Sequence, residues 1–199
     1  MVAASYFALV IVALHLLRPE RDPIALTTST YAVGRYGALM TSAFIAMSVA
    51  SAALGAALYR ALPQATSRLG LTILGVWSAA LLVAAAFPID VGTQTPTTSG
   101  TIHAINGRIA FTSATLASIF ITRRLRQHDA WRSAGAWATT LALVMLALYV
   151  MAVVVIAAGL GYAGLVQRLF LAAFVGWLGL LALRLRGAAA PDTLAPPAL

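Results

Sequence analysis

The chain of 199 residues contains no cysteine. Disulfides, thiol catalysis and thiolate metal sites are therefore excluded. Lysine is also absent, so all 13 basic residues are arginines. Alongside heavy alanine use, this is expected to reflect genomic base composition rather than adaptation. Charge is scarce: 9% of residues are charged, against roughly 25% in an ordinary soluble domain. So little polar surface excludes a water-soluble fold. Five acidic residues leave a net charge of +8, but the arginines are scattered over links and helix ends and form no stripe for a nucleic acid. No nucleotide-binding loop, zinc-binding helix pair, nucleophile elbow or two-metal cluster occurs, and no metal site is expected.

What is present is apolar. Hydrophobic residues make up 61% of the chain and the mean hydropathy is +0.92, the composition of an integral membrane protein. A hydrocarbon core about 30 Å thick needs about 20 apolar residues of helix. Six stretches approach or meet that length: Val2–Leu17, Gly37–Leu58, Leu69–Phe87, Ile102–Thr122, Ala134–Ala158 and Leu165–Leu183. Barrel strands would be about half as long and would alternate polar with apolar residues, whereas these runs are apolar all round. The first lacks the basic leader and small-residue cleavage site of a signal peptide, so it is expected to be a retained span.

Arginine placement predicts the direction. With the N-terminus inside, the cytoplasmic segments carry Arg60, Arg68, Arg123, Arg124, Arg126, Arg132, Arg184 and Arg186. The opposite loops carry Arg18, Arg21 and Arg35, with Arg108 and Arg168 just inside helix ends. The positive-inside rule then places both termini in the cytoplasm. The expected fold class is all-α: a polytopic integral membrane protein, a six-helix transmembrane bundle over residues 1–186. The tail 187–199, "GAAAPDTLAPPAL", is expected to be flexible. Ser48, Ser51, Ala52 and Gly55 put small residues on adjoining ridges that let helices approach. Trp77 and Trp177 are expected inside the bundle, with Tyr59 and Trp131 as anchors at the inner interface.

Polar residues near the membrane gather at the outer end. His15 closes the first span, and "RPERDPIALTTSTYAVGRYG" follows with Arg18, Glu20, Arg21, Asp22, Ser29, Tyr31 and Arg35. Asp90 follows the third span and His103 opens the fourth; Asn106, at i+3, shares the His103 face. Arg108 points about 140° away from His103 at 100° per residue. Gln167 and Arg168 open the sixth span.

The order of "RPERDP" after the first span, "STYAVG" before the second, "FPID" at the end of the third, "GTIH" at the start of the fourth and "GLVQR" at the start of the sixth resembles a bacterial six-span membrane family, domain of unknown function nine-nine-eight. The resemblance covers nearly the full length. It implies six helices and an outward-facing polar pocket in the bacterial cytoplasmic (inner) membrane, and no particular reaction. The first span is shorter than the family pattern, which puts the start in question.

Several functions fit these residues. The leading expectation is a non-catalytic protein whose outward pocket binds a lipid or other amphiphile, with Arg35, Asp90, His103, Asn106, Arg108, Gln167 and Arg168 as candidate ligand-binding residues. Arginines suit phosphate bidentately. An alternative is a membrane enzyme acting on a lipid-borne group, with Asp90 and His103 as general base and orienting partner. A third is an accessory subunit of a larger membrane complex, since lipid-facing and protein-facing flanks are equally oily. Haem on His15 and His103 would need ligands at facing depths; none is expected, nor any other cofactor. Transport is disfavoured because the polar groups avoid the midplane. The expected partners are membrane lipids, other membrane proteins or a second copy, and no nucleic acid.

Overall fold

In hydrocarbon, backbone N–H and C=O groups must be satisfied within the segment, and in an apolar chain the helix does this alone. The computed structural model describes residues 1–189; among them are six α-helices and no strand. They are α1 (Val2–Leu17), α2 (Gly37–Ala61), α3 (Arg68–Ala86), α4 (Thr98–Leu125), α5 (Arg132–Ala157) and α6 (Ala163–Ala189). Five are long and apolar enough to cross a membrane, so the chain is a multi-pass membrane protein. At 16 residues, α1 is about 24 Å long and falls short of the others.

The helices outrun the apolar stretches that mark them. Thr97 caps α4, its hydroxyl accepting from the Gly100 N–H at 3.0 Å, so α4 starts at Thr98 rather than at the predicted Ile102. Ser67 caps α3 in the same way, from Gly70 at 3.1 Å. Such caps are polar by necessity, which hides the first helical turn from a hydropathy reading. At the other end α6 continues to Ala189, three residues into the predicted tail. The rest of that tail lies outside the described residues.

Each helix packs on the next, and α6 returns to α1 and α2 to close the bundle. Small residues allow this. A Cβ at Gly70 would sit 2.7 Å from Ile121 Cγ1 and 3.0 Å from its backbone nitrogen, so α3 and α4 approach more closely than alanine permits. An aromatic column fills the centre: Trp77 lies edge-on to Phe174 at 4.8 Å, and Phe111 to Phe170 at 4.9 Å, spacings favoured by ring quadrupoles. Two buried indole N–H groups find a hydroxyl on another helix. Trp77 donates to Ser51 at 3.0 Å and Trp177 to Thr122 at 2.9 Å.

One expectation fails. Trp131 is buried at 3% exposure and is no interfacial anchor. The 3₁₀ turn Asp129–Trp131 folds the indole into the core, and Trp137 on α5 is the exposed one. Tyr59 is exposed as expected.

Thr122→Val keeps side-chain shape but leaves the Trp177 N–H unpaired. Reversible unfolding in mixed micelles is expected to show a loss of about 1 kcal/mol, with none for Thr140→Val, an exposed back-bonded threonine. Equal stability of wild type and Thr122→Val would contradict the pairing.

Candidate functional site

The link between α1 and α2 is long and partly buried, so its carbonyls need donors. Two arginines each supply donors to two of them. Arg168, in the second turn of α6, directs Nη1 to the carbonyls of Pro23 and Leu26, both at 2.7 Å, and of Gly164 at 3.0 Å. Nη2 donates to the Tyr31 hydroxyl at 3.3 Å, and Nε to His15 Nε2 at 2.9 Å. The link rests directly on the first turn of α6, where Leu165 N–H donates to the Ile24 carbonyl at 2.9 Å. A Cβ at Gly164 would collide with the Leu26 and Pro23 carbonyls, so glycine is required there.

This fixes a histidine tautomer. An arginine N–H only donates, so His15 Nε2 accepts, and His15 Nδ1–H donates to the Ile11 carbonyl at 2.6 Å. Both ring nitrogens of His15 are engaged within the protein.

Arg18 holds the far end of the same link. It is buried, pairs with Glu20 through Nε, and donates from Nη1 to the carbonyls of Val33 at 3.1 Å and Arg35 at 2.6 Å. The Glu20 carboxyl is held below its ordinary pKa, chiefly by this hydrogen bond from Arg18. Asp22 accepts from the Ile24 N–H at 2.8 Å. No carboxylate therefore pairs with Arg168 among the described residues, and its charge is met by neutral dipoles.

Beside this node lies a small chamber of about 40 Å³, where His103, Asn106, Gln167, Thr28 and Ser29 meet Phe7, Phe44 and Trp77. Each of the three larger polar side chains is fastened at one end. His103 Nδ1–H donates to the Phe87 carbonyl at 2.7 Å, which leaves Nε2 as an acceptor in the neutral ring. Asn106 Nδ2 donates to the Ala80 carbonyl at 2.8 Å, leaving Oδ1. Gln167 Oε1 accepts from the Thr28 N–H at 2.7 Å and hydroxyl at 3.1 Å, leaving the NH₂ group. Among the described residues none of the three other ends has a partner. His103 and Asn106 are 6% and 7% exposed.

Asp90 does different work. Its carboxylate accepts from the Thr97 hydroxyl at 2.7 Å and the Thr97 N–H at 2.8 Å, bracing the cap of α4 where the helix dipole favours negative charge. A Cβ at Gly100 would strike the same carboxylate. The Thr97 hydroxyl, then its N–H, hold the Asp90 carboxyl below its ordinary pKa.

His103, Asn106 and Gln167 are thus brought together. Arg168 stands next to them but is engaged elsewhere, and Asp90 and His103 do not hydrogen-bond to each other. Arg35 is exposed, its guanidinium 4.6 Å from the Tyr36 ring centre. Arg108 is exposed on the opposite face of α4, about 15 Å along the helix from Thr98. Sequence reasoning missed Thr28, Thr97 and the anchoring role of Arg18. A threonine before a helix is a legible cap signal; the Thr28–Gln167 contact, 139 residues apart, has none.

Arg168→Lys keeps the charge but loses the fork. It is expected to lower stability by about 1–3 kcal/mol and to speed amide exchange across residues 24–33; unchanged exchange there would contradict the node. For Asp90, a depressed folded pKa means stabilisation that is complete above the ordinary carboxylate value, about 3.9, and is lost as pH falls through the lower folded value. Amide exchange in the first turn of α4 is expected to accelerate below about pH 4 in the wild type and to lack that step in Asp90→Asn.

A family model described as "Protein of unknown function (DUF998)" matches residues 1–184. No curated protein and no solved structure matches the chain. With nearly the whole length matched and the multi-pass helical fold in place, the chain belongs to the DUF998 family.

Proposed function

We propose that this protein is a non-catalytic component of the bacterial cytoplasmic membrane, with both termini in the cytoplasm, whose outward chamber receives the neutral polar end of an amphiphile. The observation that carries this reading is the set of half-fastened side chains: His103, Asn106 and Gln167 each bond the backbone through one end and leave the other free beside one cavity. The free ends keep some accessible surface and so can be reached, and a cavity of about 40 Å³ has room for about three water-sized groups. A hydroxyl both donates and accepts, so it complements two acceptors and an NH₂ donor.

A neutral ligand group fits better than a phosphate at this place. Arg168, the neighbour of Gln167 in sequence, already donates to five protein atoms. Arg35 and Arg108 are exposed and suit contacts with surrounding lipid phosphates instead. The separate engagements of Asp90 and His103 support a non-catalytic role. Orientation rests on the arginine bias: eight lie at the ends and links opposite the chamber.

Protein extracted in mild detergent is expected to retain a neutral, hydroxyl-bearing lipid such as a diacylglycerol. Asn106→Leu and His103→Phe are expected to lose it while still eluting as folded species. Lipid extracts identical in wild type and both variants would remove the reading.

A further inference from the structure

A second cavity lies at the other end of the bundle, lined by α2 and α3 near the Tyr59–Arg68 link. It is a groove of about 520 Å³, within the range that holds ligands of drug size. Its floor is built from Ser51 and Gly55 on α2 and from Leu71 and Gly75 on α3, with Tyr59 and Arg68 at its mouth. From Ser51 to Tyr59 it runs about 12 Å along the helix, most of one leaflet's hydrocarbon depth.

Packing within the chain does not account for this hollow. A Cβ at Gly75 would meet nothing within 4 Å, and one at Gly55 would make only ordinary contact with Leu74 and Leu71 at 3.6 and 3.9 Å. Glycine inside a helix costs roughly 0.5–1 kcal/mol relative to alanine. At Gly70 or Gly164 a close approach explains that cost, whereas at Gly75 no neighbour within the chain does, and the position stays open for an occupant of the groove. The mouth is cationic: Arg68 is exposed, and its guanidinium has no hydrogen bond or ion pair among the described residues. Tyr59 adds a phenol at the same level.

We infer that this groove holds one anionic phospholipid, its phosphate on Arg68 and Tyr59 and an acyl chain lying over Gly55 and Gly75. The polarity order along the groove, cation and hydroxyl at the rim and apolar surface inward, is that of a lipid standing in its own leaflet. A second copy in the same orientation would instead bring another Arg60 and Arg68 to a rim that is already cationic. Charge complementarity thus selects the lipid. The site is independent of the His103 chamber and lies in the opposite leaflet.

The test is native mass spectrometry of the full chain in mild detergent, titrated with phosphatidylglycerol and with phosphatidylcholine. One phosphatidylglycerol per chain is expected to bind in preference to phosphatidylcholine. Arg68→Gln is expected to weaken it about tenfold, whereas Arg60→Gln, an exposed neighbour outside the groove, leaves it unchanged. Gly75→Leu fills the hollow from an unobstructed position and is expected to abolish the adduct in a protein that still elutes as folded. Equal weakening by Arg60→Gln and Arg68→Gln, no preference for the anionic lipid, or an adduct that survives Gly75→Leu would each overturn the proposal. So would a dimer that Gly75→Leu converts to monomer with lipid binding intact, which would assign the groove to a second copy.

Discussion

A guanidinium with no carboxylate in reach must be surrounded by lone pairs, and Arg168 gathers them from α1, from the link between α1 and α2, and from its own helix. Arg168 is half-buried, and hydrogen bonds from a charged group in such a place contribute about 1.5–3 kcal/mol each at most. The link therefore folds inward to present the Pro23 and Leu26 carbonyls, and Tyr31 is drawn into full burial beside His15 at 5.6 Å. That placement brings Thr28 onto Gln167 and Ser29 to the wall of the chamber. The chamber is thus a consequence of how one charge is accommodated.

Polar side chains in this protein divide by whether their bonding is complete. His15 uses both ring nitrogens and Asp90 both carboxylate oxygens on groups of the chain itself, Arg18 holds two backbone carbonyls and Glu20, and Trp77 and Trp177 have their single donors met. His103, Asn106 and Gln167 are half used, and all three line the same small space. Fastening one end fixes both the tautomer or amide orientation and the direction of the free end. In the proposed reading this preorganises the chamber for its ligand at low entropic cost.

The oily lengths of the helices are legible because hydropathy needs no knowledge of neighbours. Their ends are not, since Thr97 and Arg68 are polar residues that still belong to caps and first turns. The shared face of His103 and Asn106, and the divergence of Arg108 from it, follow from helical angle alone. What they bond to does not: the Phe87 and Ala80 carbonyls belong to α3 and its end, and backbone oxygens carry no sequence signature. Arg168 was legible as a polar residue at a helix start, but four of its five contacts lie 137 to 153 residues away. Trp131 misleads because an aromatic beside arginines in a link has the composition of an interfacial anchor, and only the fold of the 3₁₀ turn buries it.

The most direct measurement of the central claim is nitrogen-15 NMR of the histidine rings in the full chain, in lipid, at mildly alkaline pH where imidazole is neutral. The account requires His103 as the Nδ1–H tautomer, with an unprotonated Nε2 whose resonance moves in Asn106→Leu. An Nε2–H ring at His103 would release the Phe87 carbonyl, turn the free end from acceptor to donor, and contradict the chamber as described.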